Sequence, residues 1–319
     1  MPVQARLRMA RYPHGMDFTL DQVRCFIAVA EELHFGRAAE RLRMTQPPLS
    51  RQIQRLEALL GVSLLDRDNR RVALTEAGHA FLRESREIMA AVERAPSTAR
   101  EVAAGRSGIV RIGFTAASGY SVLGPLLNLI SDALPRVRIE LEELVTGQQM
   151  TAIENGSLDL GLARPPFDVK EFGSRLLLAE DLVLAVPFGH PLAHAEKPPT
   201  AAQLQQEPLV MHSPTRARYF YDLAVRMLPV DHGRVEHVVS QIATMVALVG
   251  AGRGIAFVPA SARLLGIHGV SYVGLGDVGR DAVQLHAIWN RASGNPALQR
   301  VVELLRELPD DALGASNHP

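Results

Sequence analysis

Residues 35–54 read FGRAAERLRMTQPPLSRQIQ, and their pattern is the clearest structural signal in the N-terminal part of the chain. Apolar residues at helical spacing predict a short helix that ends near Leu42, a tight turn at Met44 and Thr45, and a second helix from Gln46 to Leu60, which Gly61 ends. Prolines in the first turn of a helix are tolerated, because the N–H groups there have no partner within the helix. Two helices joined by a four-residue turn form a helix-turn-helix, whose second helix faces outward.

The second helix of this motif carries polar side chains on the face opposite its apolar residues. Glutamine and arginine side chains make paired hydrogen bonds to base edges in a major groove, and hydroxyl groups suit phosphate oxygens. The start of a helix also favours a phosphate, because its N–H groups and its dipole attract anions. We therefore expect double-stranded DNA to be bound by Thr45, Gln46, Ser50, Arg51 and Gln54.

The segments around this motif continue the same organisation. Helical spacing predicts a first helix from Leu20, with Cys25 as a small core hydrophobe. A small hairpin with a charged tip follows Gly61, and a helix from Thr75 to Ala103 comes next, which we expect Pro96 to kink or interrupt. Apolar residues at seven-residue spacing on that helix predict self-association, and an amphipathic helix lying on its own domain is the alternative.

The composition sets the broad class of protein. The chain has 319 residues, 47% of them hydrophobic, and a net charge of zero, which favours two or three globular domains. Five arginines lie between residues 34 and 56, a modest local excess of positive charge. The sequence contains no run of 18 apolar residues, no apolar core of a signal peptide at residues 1–16 and only one cysteine, so we expect a cytoplasmic protein that does not enter a membrane.

Beyond a linker at 103–108 the pattern changes to alternating strands and helices. Such alternation predicts a mostly parallel sheet covered on both faces. Residues 109–308 suffice for two lobes with a cleft between them: lobe I at about 109–179 and 281–308, and lobe II at about 180–280. Strands are predicted at 109–114, 137–143, 158–163, 181–187, 208–211, 234–238, 254–258 and 282–289, and helices near 121–134, 147–155, 216–227, 240–250 and 296–307.

Several polar side chains follow the predicted strands, at the edge where ligands of parallel sheets bind. Hydroxyl groups, arginines and a phenyl ring at such an edge suit a small anionic ligand. We expect a carboxylate and leave open whether it carries an aromatic ring. For Ser118 and Thr146 a helix cap is the alternative, and for Arg164 a salt bridge between lobes or subunits. The candidate effector-binding residues are Thr115, Ala117, Ser118, Thr146, Arg164, Arg216 and Phe220.

Two parts of the sequence resemble LysR-type transcriptional regulators. Residues 38–82, AAERLRMTQPPLSRQIQRLEALLGVSLLDRDNRRVALTEAGHAFL, resemble their winged helix-turn-helix, and IVRIGFTAASGYS, LVLAVPFGHPLA and MVALVGAGRGIAFVPAS resemble their effector domain. The resemblance implies a multidomain fold in which the effector domain is an α/β two-lobed structure similar to periplasmic solute-binding proteins. The implied parts are an N-terminal extension (1–16), an α winged helix-turn-helix domain (17–75), a linker and dimerisation helix (76–105), the effector domain (109–308) and a C-terminal tail (309–319).

The resemblance also implies roles for residues and partners. It places Gln46, Pro47, Ser50 and Arg51 against DNA, with Arg67 and Arg70 near the wing. It implies a dimer of dimers, an activator, and RNA polymerase as a further partner. The QPPLS and VPAS variants resemble regulators of aromatic-compound catabolism, although Ala116 and Ala117 stand where such relatives often have paired serines, so that Ser118 is the substitute contact. For Arg67 a structural ion pair with Asp66 or Glu57 is the alternative.

Other motifs argue against catalysis and cofactors. The glycines of GAGRG (250–254) follow a helix and precede a strand, the reverse of a dinucleotide-binding loop, so we interpret them as a turn. Pro191 separates His190 from His194 and disfavours a shared metal. We therefore expect neither an enzyme nor a metal or organic cofactor, and a solute-binding module without a DNA role is the other alternative. Two interpretations of residues 1–16 stay open: Met16 is the true start of the protein, or these residues form a basic arm that contacts DNA.

Overall fold

The computed structural model describes residues 18–68, 71–227 and 232–309. The chain divides into two compact units between Arg100 and Glu101. The predicted N-terminal extension and nearly all of the predicted C-terminal tail lie outside the described residues, as does Arg70. Among the described helices, none combines the length and the apolar composition needed to cross a bilayer.

The first unit is built around three helices whose apolar faces meet. Phe26, Leu49, Ile53 and Leu56 are fully buried at its centre, where α3 contributes residues spaced three and four apart. The elements are α1 (Leu20–Glu32), α2 (Phe35–Arg41), α3 (Gln46–Leu60), β1 (Leu65–Asp68), β2 (Arg71–Leu74) and α4 (Glu76–Ala103), and β1 pairs antiparallel with β2.

The turn between α2 and α3 is as tight as the sequence predicts. Arg43 adopts a left-handed conformation with φ of 53°. The N–H of Met44 donates to the carbonyl of Ala39 at 2.9 Å, which satisfies a carbonyl at the end of α2. This closed turn fixes the direction in which α3 leaves the motif.

Helix α4 begins and ends where the sequence predicts, but it is continuous through Pro96. The helix is therefore not interrupted at Pro96, and the alternative of a kink stays a prediction. Side-chain hydrogen bonds surround the proline: Ser97 Oγ donates to the carbonyl of Arg94 at 2.8 Å, and Arg100 Nε donates to the carbonyl of Pro96 at 3.2 Å. These bonds supplement a turn in which the proline ring removes one backbone donor.

The second unit contains two lobes. The sheet of the first lobe has the strand order β4-β3-β5-β12-β6, and its core includes Ile112, Leu126, Leu160 and Val301. Strand β3 runs parallel to β4 and β5, whereas β12 runs antiparallel to β5 and β6. The elements are β3 (Ser107–Phe114), α5 (Leu123–Ala133), β4 (Arg136–Glu143), α6 (Thr146–Glu154), β5 (Leu160–Ala163), β6 (Phe172–Glu180), β12 (Val283–Asn290) and α10 (Pro296–Glu307).

The second lobe has its own apolar core. Strand β7 lies between β10 and β11 and is antiparallel to both, while β8 and β9 pair in parallel. Helices α8 and α9 supply buried residues such as Leu223, Met245 and Val249. The elements are β7 (Leu182–Pro187), α7 (Ala201–Leu204), β8 (Leu209–His212), α8 (Arg218–Met227), β9 (Val235–Val239), α9 (Ile242–Gly250), β10 (Ala256–Pro259) and β11 (Val270–Gly274).

The expectation of a mostly parallel sheet is wrong. Strand β6 leaves the first lobe at Glu180, and β12 re-enters it beside that point, since Val283 pairs with Glu180. Because β12 begins at the end of the sheet where β6 stops, the two neighbouring strands run in opposite directions. The sequence pattern also predicts neither β6 nor β11.

The chain passes between the two sheets twice, and the two crossings lie side by side. The first is at Asp181, and the second joins β11 to β12. The N–H of Leu182 donates to the carbonyl of Gly279 at 2.8 Å, and the N–H of Asp281 donates to Asp181 Oδ1 at 3.0 Å. The crossings are therefore held to each other by hydrogen bonds.

Candidate DNA interface and ligand site

The face of α3 opposite its buried residues is open to solvent. Leu49, Ile53 and Leu56 have no exposed surface, so the spacing of the helix turns the intervening side chains outward. Ser50 is half-buried. The structure brings the other predicted contacts of this helix together on the exposed side: Thr45, Gln46, Pro47, Arg51 and Gln54.

The start of α3 offers few backbone donors to a phosphate. Thr45 is the N-cap, with φ of −83° and ψ of 155°, and its side chain makes no capping hydrogen bond. Pro47 and Pro48 have no N–H, so Gln46 alone contributes a free donor in the first turn. A phosphate here would rely on the Thr45 hydroxyl and on side chains more than on the backbone.

The local arginine excess divides into two groups. Arg37 and Arg41 form ion pairs with the acids at the end of α1: Arg37 Nε lies 3.3 Å from Glu32, and Arg41 Nη1 lies 2.9 Å from Glu31. Within the described part of the chain, the other three form no ion pair. Two of them lie on α3 and one in the turn before it, so the unneutralised charge is concentrated at the outward helix: Arg43, Arg51 and Arg55.

The hairpin of β1 and β2 is anchored to α3 by Glu57. Its Oε1 accepts hydrogen bonds from the N–H groups of Leu64 at 2.9 Å and Leu65 at 3.1 Å. Glu57 therefore serves the backbone at the base of the hairpin. The side chain of Arg67 and the whole of Arg70 lie outside the described residues, so their predicted roles stay predictions.

In the second unit, the hydroxyls after β3 are largely used within their own turn. Thr115 caps the short 3-10 helix at Ala116–Gly119. Ser118, 1% exposed, donates from Oγ to the carbonyl of Thr115 at 2.7 Å and accepts from its N–H at 3.0 Å. Ala117 is buried against the core of the second lobe. This geometry favours the helix-cap interpretation of Ser118.

Arg164 follows β5 and is 3% exposed. Its Nη1 donates to the carbonyl of Gln284 at 3.0 Å, and its Nη2 lies 4.0 Å from Glu180 Oε1. Its Nε and Nη2 have no hydrogen-bond partner within the described residues. Desolvation lowers the pKa of the guanidinium from its usual value, and the charge of Glu180 and the neighbouring Tyr219 hydroxyl oppose that shift. Thr146 Oγ1 accepts from the N–H of Arg164 at 3.2 Å.

Aromatic rings from the second lobe cover this arginine. The guanidinium carbon lies 4.8 Å from the ring centroid of Phe220 and 5.6 Å from that of Tyr219. Tyr219 Oη accepts from the N–H of Gln284 at 2.7 Å. The structure thus brings Thr146, Arg164 and Phe220 together at the junction of the lobes. Arg216 is exposed, and its N–H donates to Ser213 Oγ at 3.2 Å.

Three residues of this cluster are missed by sequence reasoning: Tyr219, Glu180 and His212. Glu180 accepts from the N–H of Ser261 at 2.7 Å and from its hydroxyl at 3.1 Å. His212 stacks on Phe220 at 5.1 Å between ring centroids, and its Nε2 lies 2.8 Å from the carbonyl of Phe257. The signal for Glu180 is an acid at the end of the apolar run LLLAE, and for His212 a histidine that ends the buried strand LVMH.

Comparison with known proteins places the chain in a family. Residues 20–79 match the family described as bacterial regulatory helix-turn-helix protein, lysR family, and residues 103–310 match the LysR substrate binding domain. The chain belongs to the LysR family. It is a LysR-type, DNA-binding transcription regulator with an effector-binding domain, as the resemblance implies.

Individual relatives of this LysR regulator match along most of their length. The HTH-type transcriptional regulator IlvR of Caulobacter vibrioides is 40% identical over 90% of this chain and 97% of its own. The probable cat1 operon transcriptional activator of Acinetobacter lwoffii is 37% identical over 79% of this chain and 84% of its own. The structure of full-length CbnR complexed with its target DNA superposes with a TM-score of 0.75 at 29% identity, covering 90% of this chain and 98% of CbnR. The predicted combination of winged helix-turn-helix and two-lobed effector domain is confirmed.

Proposed function

We propose that this regulator activates transcription when a small carboxylate binds beside Arg164, at the junction of the two lobes. The observation that carries the proposal is the buried guanidinium whose Nε and Nη2 lack hydrogen-bond partners within the described residues. Leaving buried donors unsatisfied costs free energy, and a carboxylate accepts two parallel bonds from a guanidinium. The bound anion would therefore complete a site that the protein leaves incomplete.

The surroundings of Arg164 support one anionic group on a compact body. Thr146 accepts a bond from the backbone of Arg164, so its hydroxyl hydrogen can still be donated to an anion. Phe220 and Tyr219 give the site aromatic walls, which suit an apolar and also an aromatic ligand. The remaining proposed effector contacts, Thr115, Ala117, Ser118 and Arg216, have weaker support, because each is engaged elsewhere or exposed.

Activation follows if the ligand prefers one arrangement of the lobes. A ligand that binds one arrangement more tightly shifts the population of the effector domain towards it. Support for an activator comes from a relative named a transcriptional activator at 37% identity. RNA polymerase is the partner that such an activator would contact, and the cytoplasm is the compartment that it would occupy.

On the DNA side, we propose that α3 reads the major groove through its exposed face and that two chains pair through α4 in a dimer of dimers. The first part is supported by the arginines of α3, which are exposed and form no ion pair with any residue that the structure describes. The curated relatives are named as transcriptional regulators, which supports a role other than catalysis. The proposed domain boundaries are 17–75 for the DNA-binding domain, 76–105 for the linker helix and 109–308 for the effector domain. The proposed DNA contacts are Thr45, Gln46, Pro47, Ser50, Arg51, Gln54, Arg67 and Arg70.

The test of the effector site is a thermal-shift screen of the full chain with acetate, hexanoate, benzoate and phenylacetate. A ligand that binds the native state raises the melting temperature, by an amount that grows with its concentration. The variant that tests the site is Thr146→Val, which keeps the shape of the side chain and removes its hydroxyl group. We expect a carboxylate to stabilise the unaltered protein and to stabilise this variant less. Equal shifts in both proteins, or none with any carboxylate, would contradict the proposed site.

The test of the regulator as a whole is a gel-shift assay with the DNA upstream of its own gene. We expect retention of that DNA in the presence of excess competitor DNA, and a change in transcription of the adjacent promoter when the carboxylate is added. A carboxylate that lowers transcription would replace the activator with a repressor. DNA that is never retained at any salt concentration would contradict the role of α3.

A further inference from the structure

The last turn of α1 carries two adjacent acids, Glu31 and Glu32. A helix C-terminus has a partial negative charge, so acidic side chains are unfavourable there. No basic residue accompanies them within that turn. Their position therefore calls for a reason outside α1, and their contacts with two other helices supply one.

Each carboxylate oxygen of Glu31 holds an arginine from a different helix. Oε1 lies 2.7 Å from Nη2 of Arg86 on α4 and 3.2 Å from its Nε, while Oε2 lies 2.9 Å from Nη1 of Arg41 on α2. The hydrogen bond from Arg86 is the largest cause of a lowered pKa of the Glu31 carboxyl. Glu31 thus connects the long helix with the first helix of the DNA-reading motif.

The connection extends towards the turn before α3. Arg41 Nη1 also lies 3.5 Å from Glu32 Oε1, and Arg37 Nε lies 3.3 Å from Glu32 Oε2. Arg41 is the last residue of α2, directly before the closed turn that fixes the direction of α3. We call this set the arginine–glutamate chain: Arg86, Glu31, Arg41, Glu32 and Arg37.

A second contact near the start of α4 gives this chain a geometric role. Phe81 packs edge-on against Phe18 at 5.8 Å and against Phe26 at 5.2 Å between ring centroids. Leu82, the next residue of α4, is buried in the same core, but apolar contacts are not directional and leave some freedom in the angle of the helix. Arg86 lies about 7.5 Å further along the helix axis than Phe81, and a directional ion pair at that distance restricts the angle.

We propose that Glu31 is a positioning residue that holds the DNA-reading motif at a fixed angle to α4 and thereby sets the half-site spacing that the dimer accepts. The inference rests on the proposed pairing of two chains through α4. In such a dimer the angle between α3 and α4 determines how far apart the two α3 helices stand, and this distance must match successive major grooves. Surface ion pairs add little stability singly, so the effect should lie in geometry rather than in folding.

The experiment compares operators of different spacing. An operator with two half-sites is first selected from random DNA with the unaltered full chain, and versions are made with two and five base pairs inserted between the half-sites. Affinities for all three are measured for Arg86→Met and for Arg83→Met. Arg83 is an exposed residue of α4 whose one side-chain hydrogen bond within the described residues goes to the carbonyl of His79 of its own helix, so both variants lose the same charge.

We expect Arg86→Met to bind the selected operator about threefold to tenfold more weakly. Its preference for the selected spacing over the altered ones should fall by a similar factor. Arg83→Met should keep that preference, and Arg86→Lys, which retains a cation for Glu31, should restore most of it. Melting temperatures of these variants should stay close to that of the unaltered chain.

An Arg86→Met protein with the same spacing preference as Arg83→Met would overturn the inference and leave the proposed function intact. If Arg86→Met does not fold, Glu31→Gln provides the same comparison from the other side of the ion pair. If the unaltered chain selects only single half-sites, the proposed dimer fails, and this inference fails with it.

Discussion

The guanidinium carbon of Arg164 lies 4.8 Å from the centre of the Phe220 ring, although the two residues belong to different lobes. Arg164 follows a strand of the first sheet, and Phe220 belongs to the first turn of a helix in the second lobe. The pair therefore marks the junction at which a ligand would contact both lobes at once. A substitution of either residue would therefore alter the contacts of both lobes.

The first prediction concerns the fork geometry of Arg164. Arg164→Lys keeps a positive charge but loses the planar guanidinium that pairs with a carboxylate through two bonds. We expect the variant to bind the stabilising carboxylate at least about tenfold more weakly, which corresponds to about 1.4 kcal/mol. Isothermal titration calorimetry measures the difference. Arg218→Lys, an exposed change on α8, is the control, and equal affinities for both variants would remove Arg164 from the site.

The second prediction separates the two groups of arginines in the DNA-reading motif. Arg51→Ala should lower operator affinity by about 1–3 kcal/mol, because the side chain is exposed on α3 and unneutralised within the described residues. Arg37→Ala removes the same charge from a side chain paired with Glu32, and it should cost clearly less. Fluorescence anisotropy with labelled operator provides both values. If Arg37→Ala lowers operator affinity as much as Arg51→Ala, then the pairing of an arginine with a glutamate does not affect its contribution to DNA binding.

The third prediction concerns acid stability. Burial lowers the pKa of His212 to about 4 in the folded chain, whereas the unfolded chain has the ordinary value near 6.5. Between these values the unfolded state binds more protons, so stability falls as the pH drops from about 6.5 to 4, by on the order of 3 kcal/mol in total. Urea unfolding at pH 7.5 and pH 5 measures the part of this loss that lies in that interval.

The variant that tests this assignment is His212→Gln, whose amide nitrogen can take the place of Nε2 as donor to the carbonyl of Phe257. We expect it to lose less stability than the unaltered protein between pH 7.5 and pH 5. The control is the same substitution at the exposed His268. An unchanged acid dependence in His212→Gln would show that another group is responsible.

The fourth prediction concerns the turn between α9 and β10. Gly254 has φ of 123°, and a Cβ added there would lie 2.4 Å from the carbonyl oxygen of Pro208. Gly254→Ala should therefore destabilise the second lobe by more than about 2 kcal/mol. Gly252 also has positive φ, 72°, but open space around it, so Gly252→Ala should cost about 1 kcal/mol. Thermal unfolding compares the two, and equal losses would argue against a close approach at Gly254.

The sequence predicts the DNA-binding unit closely because its signals are local. Pro47 and Pro48 mark the start of α3, Gly61 marks its end, and the bounds of this helix agree with the prediction. The same holds for the turn at 250–254, which joins α9 to β10 as expected. Each of these features depends on residues within a few positions of one another.

The ligand site is predicted less completely because it is assembled from distant segments. The rule that ligands lie beyond strand ends finds Thr146, Arg164 and Phe220. It does not find Glu180, since β6 carries no alternating pattern and its apolar run continues past Asp181 into β7. It also does not give the direction of β12, because that depends on where the chain re-enters the first lobe.

The paired crossings at Asp181 and Asp281 limit how the effector domain can respond. A single connecting strand could twist as well as bend, but two strands joined by hydrogen bonds resist twisting and allow bending mainly across their common plane. Ligands of different shape would then drive the lobes along the same path and differ only in how far along it they hold them. Under this constraint the response to each ligand depends on a single quantity, the degree to which the two lobes close.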